Sequence, residues 1–178
     1  AFAMRTFPVL LELPPAYLKA IGKIAHQYAY IEHVLQLIAF DLLNISPVQG
    51  RIAIRQPRPK ETYEMIRELA DSVGITISAE FDALGSALEQ CQSERDRIVH
   101  GLWVRGDDGS IVLRLTSGTW QPIKGMRGKA KRKIKPEGVI VGADQFMQVT
   151  EVLISTRDAA LALKQQINEV LSTMRKKT

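Results

Sequence analysis

At 178 residues the chain is long enough for one domain with a proper core and too short for two. No apolar run reaches the ~20 residues that a bilayer crossing needs, and the most apolar stretch, Tyr28 to Leu43, is broken by Glu32, His33 and Asp41. Without a signal-peptide pattern the expected compartment is cytoplasmic, with no membrane association. One cysteine, Cys91, excludes an internal disulfide and any multi-cysteine metal site. The net charge of +5 is concentrated: residues 109–136 hold eight basic side chains and no acid, which leaves the rest of the chain at −3. Such a patch points to a polyanionic partner.

Ala1, Phe2 and Ala3 precede Met4 and read as a cloning remnant, so residues 4–178 are taken as one helical domain. Pro14 and Pro15 open a long helix that is expected to run to about Asn44, proline being well placed in a first helical turn. Its apolar stripe is Leu18, Ile21, Ala25, Tyr28, Leu35, Ala39 and Leu42, flanked by Ile24, Ile31 and Ile38. Glu32 falls inside that stripe. Pro47, Gly50, Pro57 and Pro59 mark 46–60 as a loop, and a shorter helix is expected from about Glu61 to Asp71.

A third helix should start near Ser78 and stop at Gly101. Its stripe is Phe81, Leu84, Leu88, Cys91, Arg95 and Ile98, with Arg95 in an apolar slot and Cys91 read as a buried structural thiol. Leu102–Arg105 and Ser110–Thr116 flank a glycine-rich turn and read as a hairpin, with Val139–Val141 as a third strand. The basic stretch is expected as a loop between them, and 102–141 as an insert. A last helix, about Asp144 to Met174, carries a heptad seam of Phe146, Val149, Leu153, Thr156, Ala160, Leu163, Ile167, Val170 and Met174. Such a seam packs in a bundle or against a second subunit.

Glu32 and Arg95 are charges in apolar stripes. Burying either alone is costly, so they are expected to form an ion pair between helices or a polar site. The third helix ends Glu94-Arg95-Asp96-Arg97-Ile98-Val99-His100-Gly101. This Arg-x4-His string, with Asp96 the first of the four residues between Arg95 and His100, resembles the signature of the HEPN superfamily, and Tyr28-x-x-Ile31-Glu32 is similar to an aromatic–aliphatic–acid pattern of some of its members. The resemblance covers roughly 15–100 and 144–174, and the β insert departs from it. It implies a mainly α fold, a four-helix bundle with a small β insert before the last helix, commonly dimeric. It implies a metal-independent endoribonuclease with a toxin or defence-like role, and with an antitoxin or inhibitor protein as a further partner. Its products would carry a 2′,3′-cyclic phosphate and a 5′-OH.

The chemistry suits RNA. Histidine titrates near neutrality and serves as acid or base, and arginine offers a permanent charge and a planar fork for phosphate. The candidate site is therefore Arg95 for phosphate, His100 for proton transfer, Asp96 to orient His100 and Glu32 to position Arg95. Five residues separate Arg95 from His100, about 140° on an ideal helix, so the pair is expected to need a distorted helix end or a composite site across a homodimer. Lys124, Arg127, Lys129, Lys131, Arg132, Lys133 and Lys135 are expected to hold the RNA backbone. His26 and His33 have no acid or cysteine to complete a metal set, and no phosphate-binding glycine loop is present, so neither metal nor cofactor is expected. Trp103 and Trp120 are read as hairpin core before base-stacking platforms. The alternatives are a HEPN-like nucleic-acid-binding or scaffold module without catalysis, and a helical interaction protein whose polar seam residues fix a dimer's register.

Overall fold

The computed structural model describes residues 10, 12–54, 57–106, 108–122 and 130–176, of which 114–122 and 130–140 are described as backbone. In chain order these form α1 (Pro15–Leu43), α2 (Pro47–Ala53), α3 (Pro59–Ser72), α4 (Leu84–His100), β1 (Leu102–Arg105), β2 (Ile111–Pro122), β3 (Ala130–Ile140) and α5 (Ala143–Arg175). The fold is mainly helical with a small antiparallel sheet between the last two helices.

Three helices open on a proline, Pro15, Pro47 and Pro59, whose fixed φ and missing N–H suit the first helical position. Two of these prolines were expected to mark loop. Within that segment, 47–53 is helical because Ser46 and Gln49 form a reciprocal capping box: Ser46 Oγ accepts from the Gln49 N–H and Gln49 Oε1 accepts from the Ser46 N–H at 3.0 Å. The helix expected from Ser78 also starts later. Ala79–Phe81 is a single 3-10 turn, and α4 proper begins at Leu84.

The core lies between α1, α3, α4 and α5. Ile24, Ile31 and Ile38 of α1 and Leu153, Leu163 and Ile167 of α5 are fully buried. The α1 stripe is thus rotated from the expected one: its flanking isoleucines are the centre, and Leu18 is 56% exposed. The heptad seam of α5 is buried from Phe146 to Ile167 within the protomer. Trp103 anchors the sheet to this core. Its ring stacks against Phe146 at 6.0 Å and meets Tyr17 edge-on at 5.6 Å, and the Tyr17 hydroxyl donates to the Val141 carbonyl at 3.0 Å.

The strands are ordered β1-β2-β3. β1 pairs with only the first rows of β2, Arg105↔Ile111 to Leu102↔Arg114. β2 and β3 stay paired from Val112↔Ile140 to Pro122↔Ala130. The basic stretch expected as loop is therefore partly strand: Lys131, Arg132, Lys133 and Lys135 belong to β3. Lys124, Arg127 and Lys129 lie outside the described residues.

Candidate active site

The last turns of α4 bring the expected residues together. Arg95 Nη1 donates to Asp96 Oδ1 at 2.7 Å and lies 2.8 Å from His100 Nε2. Asp96 Oδ1 is 4.0 Å from the same Nε2, as residues four apart on a helix allow. Arg95 and His100 therefore meet within one protomer, with α4 helical through His100. The expected mismatch of 140° is removed by reach: the long arginine stem carries the guanidinium along the helix surface to the imidazole. Dimerisation is not needed to bring this pair together.

Glu32 sits close by without a salt bridge to Arg95, so the interhelical ion pair expected from the stripes is not formed; Arg95 pairs with Asp96 instead. Burial pushes the Glu32 carboxyl above the ordinary range, Arg95 opposes that shift, and Asp96 adds to it. The Arg95 guanidinium lies over the Tyr28 ring, 5.4 Å from its centroid, a cation–π contact. The Tyr28 phenol is pushed up by burial first, then by the Glu32 and Asp96 carboxylates, so it keeps its proton. Arg95 Nε is buried without a hydrogen-bond partner. This guanidinium is held by its surroundings but not saturated by them.

These groups line one cavity of about 370 Å³, walled by α1, the α2–α3 connection and α4. The sequence marked Glu32, Arg95, Asp96 and His100 as the site and Tyr28 only as a stripe and pattern residue, and it missed Gln36, Arg58 and Gln92. Two of the three were within reach: Gln36 follows Glu32 by four residues and Gln92 precedes Asp96 by four, each on its partner's helix face. Arg58 had no such signal, because it precedes Pro59 at the N-terminus of α3 and arrives through the chain turn. A neighbouring cavity of about 470 Å³ shares Arg58, Gln92 and Asp96 and extends the groove towards Lys60 and Glu89, which bridge at 2.8 Å.

His100 is exposed, at 65% of its side chain, against 29% for Arg95. Arginine can only donate, so Nε2 is the acceptor in this contact. Nε2 is thus placed as a proton acceptor at the cavity mouth. Gly101 follows immediately, and its φ of −71° is ordinary. It is required by space instead: a Cβ there would strike Leu113 and the Arg97 carbonyl.

Elsewhere, Cys91 is buried, donates to Thr156 Oγ1 at 3.3 Å and has its thiol pushed up by burial. It borders a separate cleft between α4 and α5 whose charges, Glu94 and Arg97, pair with each other. Among the described residues no three His, Cys, Asp or Glu side chains cluster closely enough to hold a metal ion. No single helix among them is long and apolar enough to cross a membrane. No family model, curated protein or solved structure matches the chain.

Proposed function

We propose that the protein is a metal-independent endoribonuclease of the HEPN type that acts as a homodimer. The observation that carries this reading is the Arg95–His100 contact at the mouth of a polar cavity. An entering phosphodiester competes for the Arg95 fork, drawing it from Nε2 to the phosphate oxygens. Nε2 is then free to take the proton of the adjacent 2′-OH. The 2′-oxygen attacks phosphorus, the bond to the 5′-oxygen breaks, and a 2′,3′-cyclic phosphate and a 5′-OH result. Arg95 stabilises the charge gathering on the phosphoryl oxygens. Asp96 steadies both neighbours, and the Tyr28 ring lies against the guanidinium while Glu32 acts on it only through its charge.

The departing 5′-oxygen needs a proton while His100 is acting as base. In a two-fold dimer the His100 of the second copy, in its protonated form, supplies it. The dimer therefore contributes an acid to a base already set in each protomer. From Phe146 to Ile167 the α5 seam is buried within the protomer.

The test is incubation of purified wild type and His100→Ala with mixed RNA in excess chelator, with end-group analysis and sedimentation of both. The expected particle is about 40 kDa, twice the chain's 19.9 kDa. Cleavage leaving cyclic phosphate ends should fall roughly 10²–10⁴-fold in the variant. Equal cutting by a folded variant removes His100 from the chemistry. RNA binding with no cutting by wild type would instead favour the non-catalytic binding module.

A further inference from the structure

β2 and β3 outrun β1. Arg114 is the last β2 residue with β1 as a partner, through Leu102. From there to Pro122↔Ala130 the two strands form a two-stranded ribbon. The row at which it leaves the three-stranded sheet contains Leu102, two residues after His100. β1 runs away from α4, and antiparallel β2 runs back past that row. The ribbon therefore leaves the sheet at the end where α4 enters it.

The register sorts the ribbon's residues by face, since alternate residues share a face and directly paired residues lie on the same one. One face begins with Trp103, Leu113 and Val139, which are paired in one row and of which Trp103 and Leu113 belong to the core. Continuing outward it passes Leu115↔Glu137 and then holds Ser117↔Lys135, Thr119↔Lys133 and Gln121↔Lys131. The opposite face holds Thr116↔Pro136, Gly118↔Ile134 and Trp120↔Arg132. Three lysines and three neutral hydrogen-bonding residues thus occupy a single face, while Arg132 is separated from them.

We infer that this lysine face is a track for the backbone of single-stranded RNA, leading towards the Arg95–His100 cleft; the inference rests on the nuclease reading. The lysines repeat every two residues, about 6.8 Å apart in a straight line. Their rows lie three to seven residues beyond the Leu102 row, roughly 10 to 24 Å along the strands. Lysines that recur along one face of a ribbon suit a phosphate backbone, which carries no base sequence. An unpaired strand is also the substrate the cleft needs, because its 2′-OH can turn into line with the scissile bond. The acid at Glu137 closes the basic run on the cleft side, so the track holds the strand beyond the reacting nucleotide.

The test uses the full-length protein and a fluorescent single-stranded DNA, which lacks the 2′-OH and so reports binding apart from cleavage. Affinity is followed by anisotropy as salt is raised. Each lost phosphate contact flattens the log–log slope by about 0.7 on a single strand. Lys131→Gln, Lys133→Gln and Lys135→Gln together should therefore flatten it by about 2, whereas Arg132→Gln should leave it at the wild-type value. Circular dichroism confirms that each variant keeps the fold. A triple variant with the wild-type slope overturns the track, as does a wild type that does not bind. An Arg132→Gln loss equal to that of one lysine overturns the assignment to one face. Slope loss in a protein that cuts no RNA would support the track while removing the nuclease reading.

Discussion

The stripes of α4 and α5 follow the same three-four spacing and meet different fates. That of α5 is apolar or small from Phe146 to Ile167, and every position is buried. That of α4 buries Leu84, Leu88, Cys91 and Ile98 but places Arg95 between the last two. At that interruption the packing opens into the polar cavity, and the guanidinium turns along the helix to Asp96 and His100. An unbroken stripe holds the fold together; a broken one locates the chemistry. The contrast predicts that substitutions in the two stripes separate stability from activity.

The largest stability effect belongs to the unbroken seam. Leu153→Ala removes a fully buried side chain and should cost about 2–5 kcal/mol. Arg95→Ala removes a partly exposed one whose ion-pair partner, Asp96, is itself well hydrated. Because Glu32 is not bridged to Arg95, the substitution strands no partner from a salt bridge, and its cost should stay within about 1 kcal/mol. Urea unfolding of both variants checks the ordering. A penalty for Arg95→Ala as large as that for Leu153→Ala would make Arg95 part of the core and erase the distinction.

The junction between stripe and sheet gives an intermediate effect. Gly101→Ala would push a methyl group into Leu113 and the Arg97 carbonyl, the latter in the turn that carries His100. Overpacking of this kind costs about 1–3 kcal/mol. Because it tilts the helix end against β1, it should also lower RNA cleavage more than its stability loss explains. The check is to compare kcat with the melting shift; a stable variant of full activity would show that the junction is not tightly set.

Most of the scaffold was legible in the sequence because it rests on local rules. The bounds of α1 and α5 and the end of α4 follow from Pro15, from apolar periodicity and from Gly101, and the burial of Cys91 from its place in a stripe; the start of α4 at Leu84, after the 3-10 turn, did not follow. The meeting of Arg95, Asp96 and His100 was legible as a motif, but its geometry was not. Counting degrees around a helix locates Cα atoms, whereas an arginine acts several ångströms from its own. The failure over 47–53 has another cause: Ser46 and Gln49 cap a helix too short for apolar periodicity to mark. Arg58 was invisible because tertiary folding of the α2–α3 connection, and no spacing along one helix, delivers it to the cavity.

The smallest effect tests the electrostatics of the interruption itself. Glu32 feels two opposed influences, burial, which penalises its charge, and Arg95, which favours it, and burial prevails. Its native carboxyl therefore holds a proton more tightly than the unfolded chain does. Below the ordinary carboxylate range both states are protonated and the residue carries no charge penalty. As pH rises through that range the unfolded chain ionises first, and the native state loses stability relative to a neutral side chain until it too has ionised. Glu32→Gln should thus match the wild type in acid and be slightly more stable near neutrality, by less than about 1 kcal/mol. Thermal melts of both proteins across this pH range measure the gap. A variant that is less stable at neutral pH, with a deficit that shrinks in acid, would mean that Arg95 outweighs burial. The two charges in the α1 and α4 stripes would then act as a structural pair, and the break in the α4 stripe would owe more to architecture than to chemistry.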